Sequence, residues 1–316
     1  MTELTSEALR SATDLPAEGA LDLRAGTGEA RSGSVLRVVR FQVLRNAKIF
    51  LYFKVHAGLQ LLQVVAQLLV FLFLGELIGA QRFEALAGGT YASFLVIGMV
   101  VLQLLDKSLI GPFTSLSSAY WSSRLESLML SPHSVWVIIS SDTVWYYLMT
   151  TVNAVVILGI GFAFGADLHP PSSWPVLALL LILGSASVFG LGLASASTFS
   201  LLNAKGKEEP ISWAVHLLQG LVCGLYFPFE LLPRALKLFG LGLPHTYAID
   251  AARRLFMPGY TEGGTLPVHR WLGLDPLAVD CLCLALATLV FLPLGVLLFN
   301  RGLRKSQEVG SLSRWT

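Results

Sequence analysis

Among the residues of this chain that have the means for nucleophilic, acid–base or metal chemistry are six histidines, three cysteines and twenty carboxylates. The histidines stand at 56, 133, 169, 216, 245 and 269, scattered over different levels of the chain. Cys223, Cys281 and Cys283 lie in strongly apolar stretches, without a CxxC or a Cys/His cluster of metal-ligand spacing. They read as small hydrophobes, and no metal site is expected. Ser185 and Ser187 sit among small residues with no evident base, so the nucleophile–base pairing of an intramembrane protease or lipid transferase is not visible. There is no GxxxxGK[ST] phosphate loop: Lys205-Gly206-Lys207 lacks the upstream glycine and the following Ser or Thr.

The ionisable side chains picked out inside apolar stretches are Asp106, Lys107, Asp142 and His216. A charge at membrane depth is costly, so it is either paired or part of a pathway. Pairing of Asp106, Lys107 and Asp142 with one another, or snorkelling toward the cytoplasm, is expected ahead of a proton relay. His216 reads as a hydrogen-bonded packing residue, with a place in a pathway as the alternative.

The elements that carry these residues are set by hydropathy. With 54% hydrophobic and 13% charged residues and a mean hydropathy of +0.67, the chain has too little polar surface for a soluble globule of 316 residues. Six stretches approach the roughly 20 apolar residues a membrane span needs. They run from Ala57 to Ala80, Tyr91 to Ile110, Val135 to Phe164, Trp174 to Leu202, Ile211 to Phe229 and Leu274 to Asn300.

Ahead of them, Val35 to Phe50 places Val35, Leu36, Val39, Val43, Ala47 and Phe50 on one helical face, with Arg37, Arg40, Arg45 and Lys48 opposite. Such a helix lies in the headgroup layer. Residues 1–33, acidic and rich in Ser, Thr, Ala and Gly, read as a disordered cytoplasmic tail, and residues 34–316 as one membrane domain. The basic N-terminal helix and the basic residues at 301, 304, 305 and 314 put both termini in the cytoplasm.

Between the fifth and sixth spans, Leu231 to Leu241 and Tyr247 to Phe256 are short amphipathic pieces interrupted by Gly242-Leu243-Pro244. Two short re-entrant helices dipping into the outer leaflet and packed against the spans are expected. Glu230, Asp250, Arg253 and Arg254 would either form a salt-bridged network there or meet a charged head group; the residues do not choose. Phe227, Phe229 and Tyr226 suit an outer constriction or an ordinary aromatic anchor. No internal repeat is visible, unlike the duplicated secondary transporters.

Small residues recur in two spans. Ala186, Gly190 and Ala194 repeat every fourth residue, and Gly220 and Gly224 form a GxxxG spacing, both suited to close helix packing.

Between the second and third spans, Trp121, Leu125, Leu128 and Met129 gather on one side of a short helix ended by Pro132. Periodicity reads this equally as a docking element for a partner or as an interfacial connector. Arg124-Leu125-Glu126-Ser127-Leu128-Met129-Leu130-Ser131-Pro132, however, resembles the coupling-helix motif of type-2 ABC exporter permeases. The run Tyr226-Phe227-Pro228-Phe229-Glu230-Leu231-Leu232-Pro233, followed by Leu243-Pro244-His245-Thr246-Tyr247-Ala248-Ile249-Asp250-Ala251-Ala252-Arg253, resembles that family's pattern after its fifth span.

The resemblance implies an all-α polytopic membrane protein with an N-terminal amphipathic interfacial helix and six transmembrane helices. A cytoplasmic coupling helix would join spans two and three, and two re-entrant helices would join spans five and six. It implies a permease subunit that is not an enzyme by itself and binds no cofactor. ATP and Mg would be held by two copies of a separate ABC ATPase. A second permease protomer completes the unit, in a bacterial or archaeal plasma membrane, with no nucleic acid involved. Trp121, Arg124, Leu125, Glu126, Leu128, Met129, Ser131 and Pro132 become the ATPase-coupling residues. Tyr226, Phe227, Pro228, Phe229, Leu232, Pro233, Pro244, Tyr247, Asp250 and Arg253 become the outer gate. Gly220, Gly224 and His216 fall at a pathway or dimer interface, because the first, second and fifth spans line it in that family. The implied substrate is an amphiphile such as a drug, a lipid or a lipid-linked saccharide, moved outward. An ATP-independent channel or secondary transporter explains six spans as well, but not the Leu125–Pro132 connection.

Overall fold

The computed structural model describes residues 29–52, 54–78, 90–122, 135–201, 210–257, 259–260 and 266–309. Within them are ten α-helices, one 3-10 turn and no strand. The helices are α1 (Glu29–Tyr52), α2 (Lys54–Ile78), α3 (Tyr91–Trp121), α4 (Val135–Ala163), α5 (Trp174–Leu201), α6 (Pro210–Val222), α7 (Arg234–Leu241), α8 (Pro244–Phe256), α9 (Pro267–Leu272) and α10 (Pro276–Val309). The 3-10 turn, Phe229–Leu231, lies between α6 and α7. The expected tail falls largely on residues 1–28, and most of the coupling segment on 123–134; both lie outside the described residues.

Four helices contain stretches long and apolar enough to cross a bilayer unaided: Tyr91–Trp121, Ser141–Ala163, Trp174–Thr198 and Pro276–Ser306. The other two expected spans are helical, but their apolar parts among the described residues are shorter, Leu61–Val70 in α2 and Ile211–Val222 in α6. α6 stops at Val222 rather than running on to Phe229. Two features end it: Gly224 takes a left-handed φ of 71°, and the Gly224 and Leu225 carbonyls accept hydrogen bonds from the Arg253 side chain. Thirteen residues of helix reach about 20 Å, two-thirds of a hydrocarbon core.

The centre of the bundle is α5, held between α10 and α3. Gly190 and Gly295 lie backbone to backbone: a Cβ on Gly295 would meet the Gly190 carbonyl, and one on Gly190 would meet the backbone at Phe291. Thr288 Oγ1 adds a hydrogen bond across this seam to the Leu183 carbonyl at 2.9 Å. On the other side, Gly192 fits against the Ser108 and Leu109 carbonyls of α3. Pro112, inside α3, has no N–H to offer the Ser108 carbonyl, which is one of the two that Gly192 lies against. Gly190, the middle member of the expected small-residue repeat, therefore packs within this chain.

α1 is joined to α4 by polar and aromatic contacts. Asn46 Nδ2 donates to Asp142 Oδ1 at 3.0 Å, Arg45 reaches the same oxygen at 3.5 Å, and Phe50 meets Trp145 edge to face. Asp142 is thus paired with α1, not with Asp106 or Lys107 as expected.

Candidate functional site

The segment after α6 builds a wedge. Its 3-10 turn and α7 lead to a tip at residues 242–244, where Pro244 opens α8 as its first residue, a position where no N–H is required. Every residue of α8 from Pro244 to Arg253 is buried, although the helix is strongly amphipathic, because it is inserted against α3, α5 and α10. Two bonds fold α8 back on α7: Thr246 Oγ1 donates to the Gly240 carbonyl at 2.6 Å and the Tyr247 hydroxyl to the Leu241 carbonyl at 2.8 Å. Gly240 itself is pressed against the Val222 carbonyl, where no Cβ fits.

Arg253 fastens the wedge. Its Nε donates to the Phe94 carbonyl at 3.1 Å, Nη1 to that of Gly224 at 2.8 Å and Nη2 to that of Leu225 at 3.0 Å. The guanidinium lies 3.3 Å from the Phe94 ring centroid, a cation–π contact, and the absent side chain of Gly98 leaves it room. One buried cation thereby closes the carbonyls left by the early end of α6 and joins α8 to α3. Burial lowers its pKa from the ordinary arginine value, and nearby Tyr260 and Asp250 oppose the shift.

Beside it lies a second, fully inward network. Arg254 Nε donates to Asp250 Oδ2 at 2.8 Å and stands 3.9 Å from Asp280 Oδ2. The Tyr260 hydroxyl, its pKa raised by burial, donates to Asp250 Oδ1 at 2.9 Å. The Leu266 N–H donates to His269 Nδ1, which places the ring proton on Nε2, and Nε2 donates to Asp280 Oδ1 at 2.8 Å. Ligand-type atoms of Asp250, His269 and Asp280 lie within 4.8 Å of one another. The Arg254 guanidinium, spanning both carboxylates, already supplies the cation, and the histidine turns a donor rather than a lone pair inward. The chemistry of this set is a structural ion network tying α8, α9 and α10.

Among the expected gate residues, Phe229, Leu232, Pro244, Tyr247, Asp250 and Arg253 come together in this wedge. Phe227 is exposed, and the Tyr226 carbonyl accepts from the Tyr91 hydroxyl at 3.3 Å while its own hydroxyl accepts from Gln67. Pro228 caps the 3-10 turn and Pro233 caps α7. Glu230 stands apart, paired with Arg270 at 2.7 Å in an exposed bridge.

Deeper in the bundle, His216 Nδ1 lies 2.6 Å from Asp106 Oδ1, and Gln219 Nε2 donates to the same oxygen at 2.8 Å. Nearby, His245 is fully buried at the wedge tip with neither ring nitrogen hydrogen-bonded, and burial pushes its pKa down to about 4. Gly220 faces the Tyr226 ring within the chain, and Gly224 lies beyond the end of α6, so the two do not share one helical face.

Of the coupling residues only Trp121 is described, half-exposed at the end of α3 with its ring edge-to-face against Tyr120. Arg124, Leu125, Glu126, Leu128, Met129, Ser131 and Pro132 lie outside the described residues.

Asp280, Tyr260 and His269 were not among the residues singled out from sequence. Asp280 stands in an apolar stretch and obeys the same rule that marks Asp106 and Asp142. Nothing in the spacing marks Tyr260 or His269, whose partners are set by tertiary packing.

No curated protein matches the chain. The family model described as ABC-2 family transporter protein matches residues 80–297.

Proposed function

The chain belongs to the ABC-2 transporter family as its membrane permease, and from that premise we propose that it is the transport half of an ATP-driven exporter whose ATPase is a separate polypeptide. Permeases of this family generally work with an ABC ATPase, and these 316 residues contain no phosphate loop of their own. Two permease copies, side by side in a plasma membrane of a bacterium or archaeon, each engage one ATPase. Both termini lie in the cytoplasm.

The observation that carries the reading is the wedge. α8, buried from Pro244 to Arg253 among α3, α5 and α10 and folded back on the more exposed α7, stands in this reading across the side of the bundle expected to face outward. A solute leaves only when the wedge shifts. Its tip lies close enough to the Asp106–His216 pair for those charges to act on His245, so movement of α3 or α6 reaches it directly.

In this scheme Arg124, Leu125, Glu126, Leu128, Met129, Ser131 and Pro132 dock on the ATPase, with Trp121 at the root of the segment. ATP and Mg bound there draw the two ATPases together. The pull passes from Trp121 along α3, a single helix that carries Asp106 and, at its far end, the Phe94 carbonyl held by Arg253. The cargo is an amphiphile, matched to a pathway lined by apolar side chains with few polar ones.

The test is mild-detergent purification of the tagged chain from its own host, with mass spectrometry of what co-elutes. A stoichiometric ABC ATPase is the expected result. A chain that elutes without one from several detergents, and shows no ATP hydrolysis, overturns the proposal in favour of an ATP-independent transporter.

A further inference from the structure

The 3-10 turn, α7 and α9 border a cavity of about 290 Å³ at the surface of the wedge, lined by Phe229, Glu230, Lys237, Pro267 and Arg270. Glu230 and Arg270 meet there in the 2.7 Å bridge, so the one carboxylate of the lining is already matched by one guanidinium. Lys237 is held differently. Its Nζ donates to the Glu230 backbone carbonyl at 2.7 Å, which fixes the ammonium against the turn without neutralising it, and an ammonium has three N–H bonds to give. The lining therefore carries one positive charge in excess, and Arg234, exposed one turn earlier on α7, adds to it.

Each charged residue of the lining is followed in sequence by a large apolar side chain that is exposed: Leu231 after Glu230, Leu238 after Lys237 and Trp271 after Arg270. A cationic cleft flanked by exposed apolar groups suits an anionic amphiphile. Its level in the molecule fits the same ligand. α9 ends just ahead of Pro276, where the apolar stretch of α10 begins, and Trp271 in it is 87% exposed. α5 runs parallel to α10, since Leu183 meets Thr288 and Gly190 meets Gly295, so Trp174 at the head of α5, 67% exposed, stands at the same end. Exposed tryptophans at the mouths of two spans mark the boundary between hydrocarbon and head groups. At that boundary the abundant anion with an apolar tail is a phospholipid, and basic side chains there are attracted to its head group.

We propose that this cleft binds one anionic phospholipid, its phosphate taken by Lys237 with Arg270 as the second donor and its chains laid over Leu231, Leu238 and Trp271. The bound lipid bridges α7 to α9 and so ties the exposed arm of the wedge to the head of α10. It is a constituent of the bilayer, not the cargo. The inference goes beyond the transport reading, because it needs neither an ATPase nor a direction of movement.

The experiment is native mass spectrometry of the full chain in mild detergent, titrated with dioleoylphosphatidylglycerol or with dioleoylphosphatidylcholine, which has the same chains and phosphate but a choline that cancels the charge. The expected result is about fivefold tighter binding of the glycerol lipid. Lys237→Gln should lose that preference while phosphatidylcholine binds as before, which also shows that the variant is folded. Arg304→Gln, an exposed cation at the opposite end of α10, should keep it. Glu230→Gln removes the carboxylate but leaves an acceptor for Arg270, and should raise the preference, an effect that damage to the fold does not produce. Glycerophosphoglycerol, the same head group without chains, should fail to displace the lipid at equal concentration. A preference that is absent from the wild type, persists in Lys237→Gln, falls equally in Arg304→Gln, does not rise in Glu230→Gln, or yields to the free head group overturns the proposal.

Discussion

Arg253 shows how one side chain stabilises an irregular backbone at depth. The Gly224 and Leu225 carbonyls, beyond the end of α6, and the Phe94 carbonyl of α3 are bonded to a single guanidinium, whose charge is spread over them and over the Phe94 ring. Arg253→Met keeps most of the volume but leaves the Gly224 and Leu225 carbonyls buried and without this donor, at roughly 1–3 kcal/mol each. The expected outcome is a chain that inserts but melts well below the wild type in a thermal size-exclusion assay; an unchanged midpoint would show that the carbonyls find other partners. His245 gives a pH dependence at the same scale. Its folded pKa of about 4 lies below the ordinary 6.5, so the unfolded chain takes up the proton first. The stability due to the neutral ring is complete above about pH 6.5 and falls as pH drops toward 4. His245→Leu should flatten that part of the stability profile relative to wild type, and parallel profiles for the two would contradict it. At this scale the sequence marks charges but not their partners. Asp142, Asp106 and Arg253 were visible as costly groups, yet Asn46, Gln219 and the Gly224 carbonyl, which satisfy them, are ordinary residues brought in by packing.

Among the elements, the helices that sequence locates well are those whose ends agree with their hydropathy. Trp174 to Leu202 was expected and Trp174–Leu201 is observed. α6 was extended seven residues too far because Leu225 to Phe229 is as apolar as what precedes it, and the cause of termination lies nearly thirty residues later at Arg253. The short helix α9 carries too few residues for a periodic signal, and its position depends on His269 reaching Asp280. The seam of α5 and α10 yields a sharp prediction. Gly295→Leu should block approach of the two helices and prevent accumulation of folded protein, because a Cβ already meets backbone there. Gly159→Leu, at a glycine of α4 with open space around it, serves as the control and should accumulate normally. Equal yields of the two would place the seam elsewhere.

The whole molecule is an ABC-2 permease in which one long helix, α3, connects the expected ATPase-facing end to the wedge. Fold class and family were legible because hydrophobic runs and two degenerate motifs stand in the right order; the ion network under the wedge was not, since it joins α8, α9 and α10 through side chains of no common spacing. Movement along α3 is the link between ATP and cargo in this account, and it begins at the segment after Trp121. The measurement that tests it most directly is ATP hydrolysis by the complex purified from the host on the tagged permease, wild type against Glu126→Arg, with ATPase stoichiometry read in the same sample. The account predicts equal insertion of both chains in the membrane and loss of bound ATPase and of ATP hydrolysis in Glu126→Arg. Full stoichiometry and unchanged hydrolysis in that variant would contradict it.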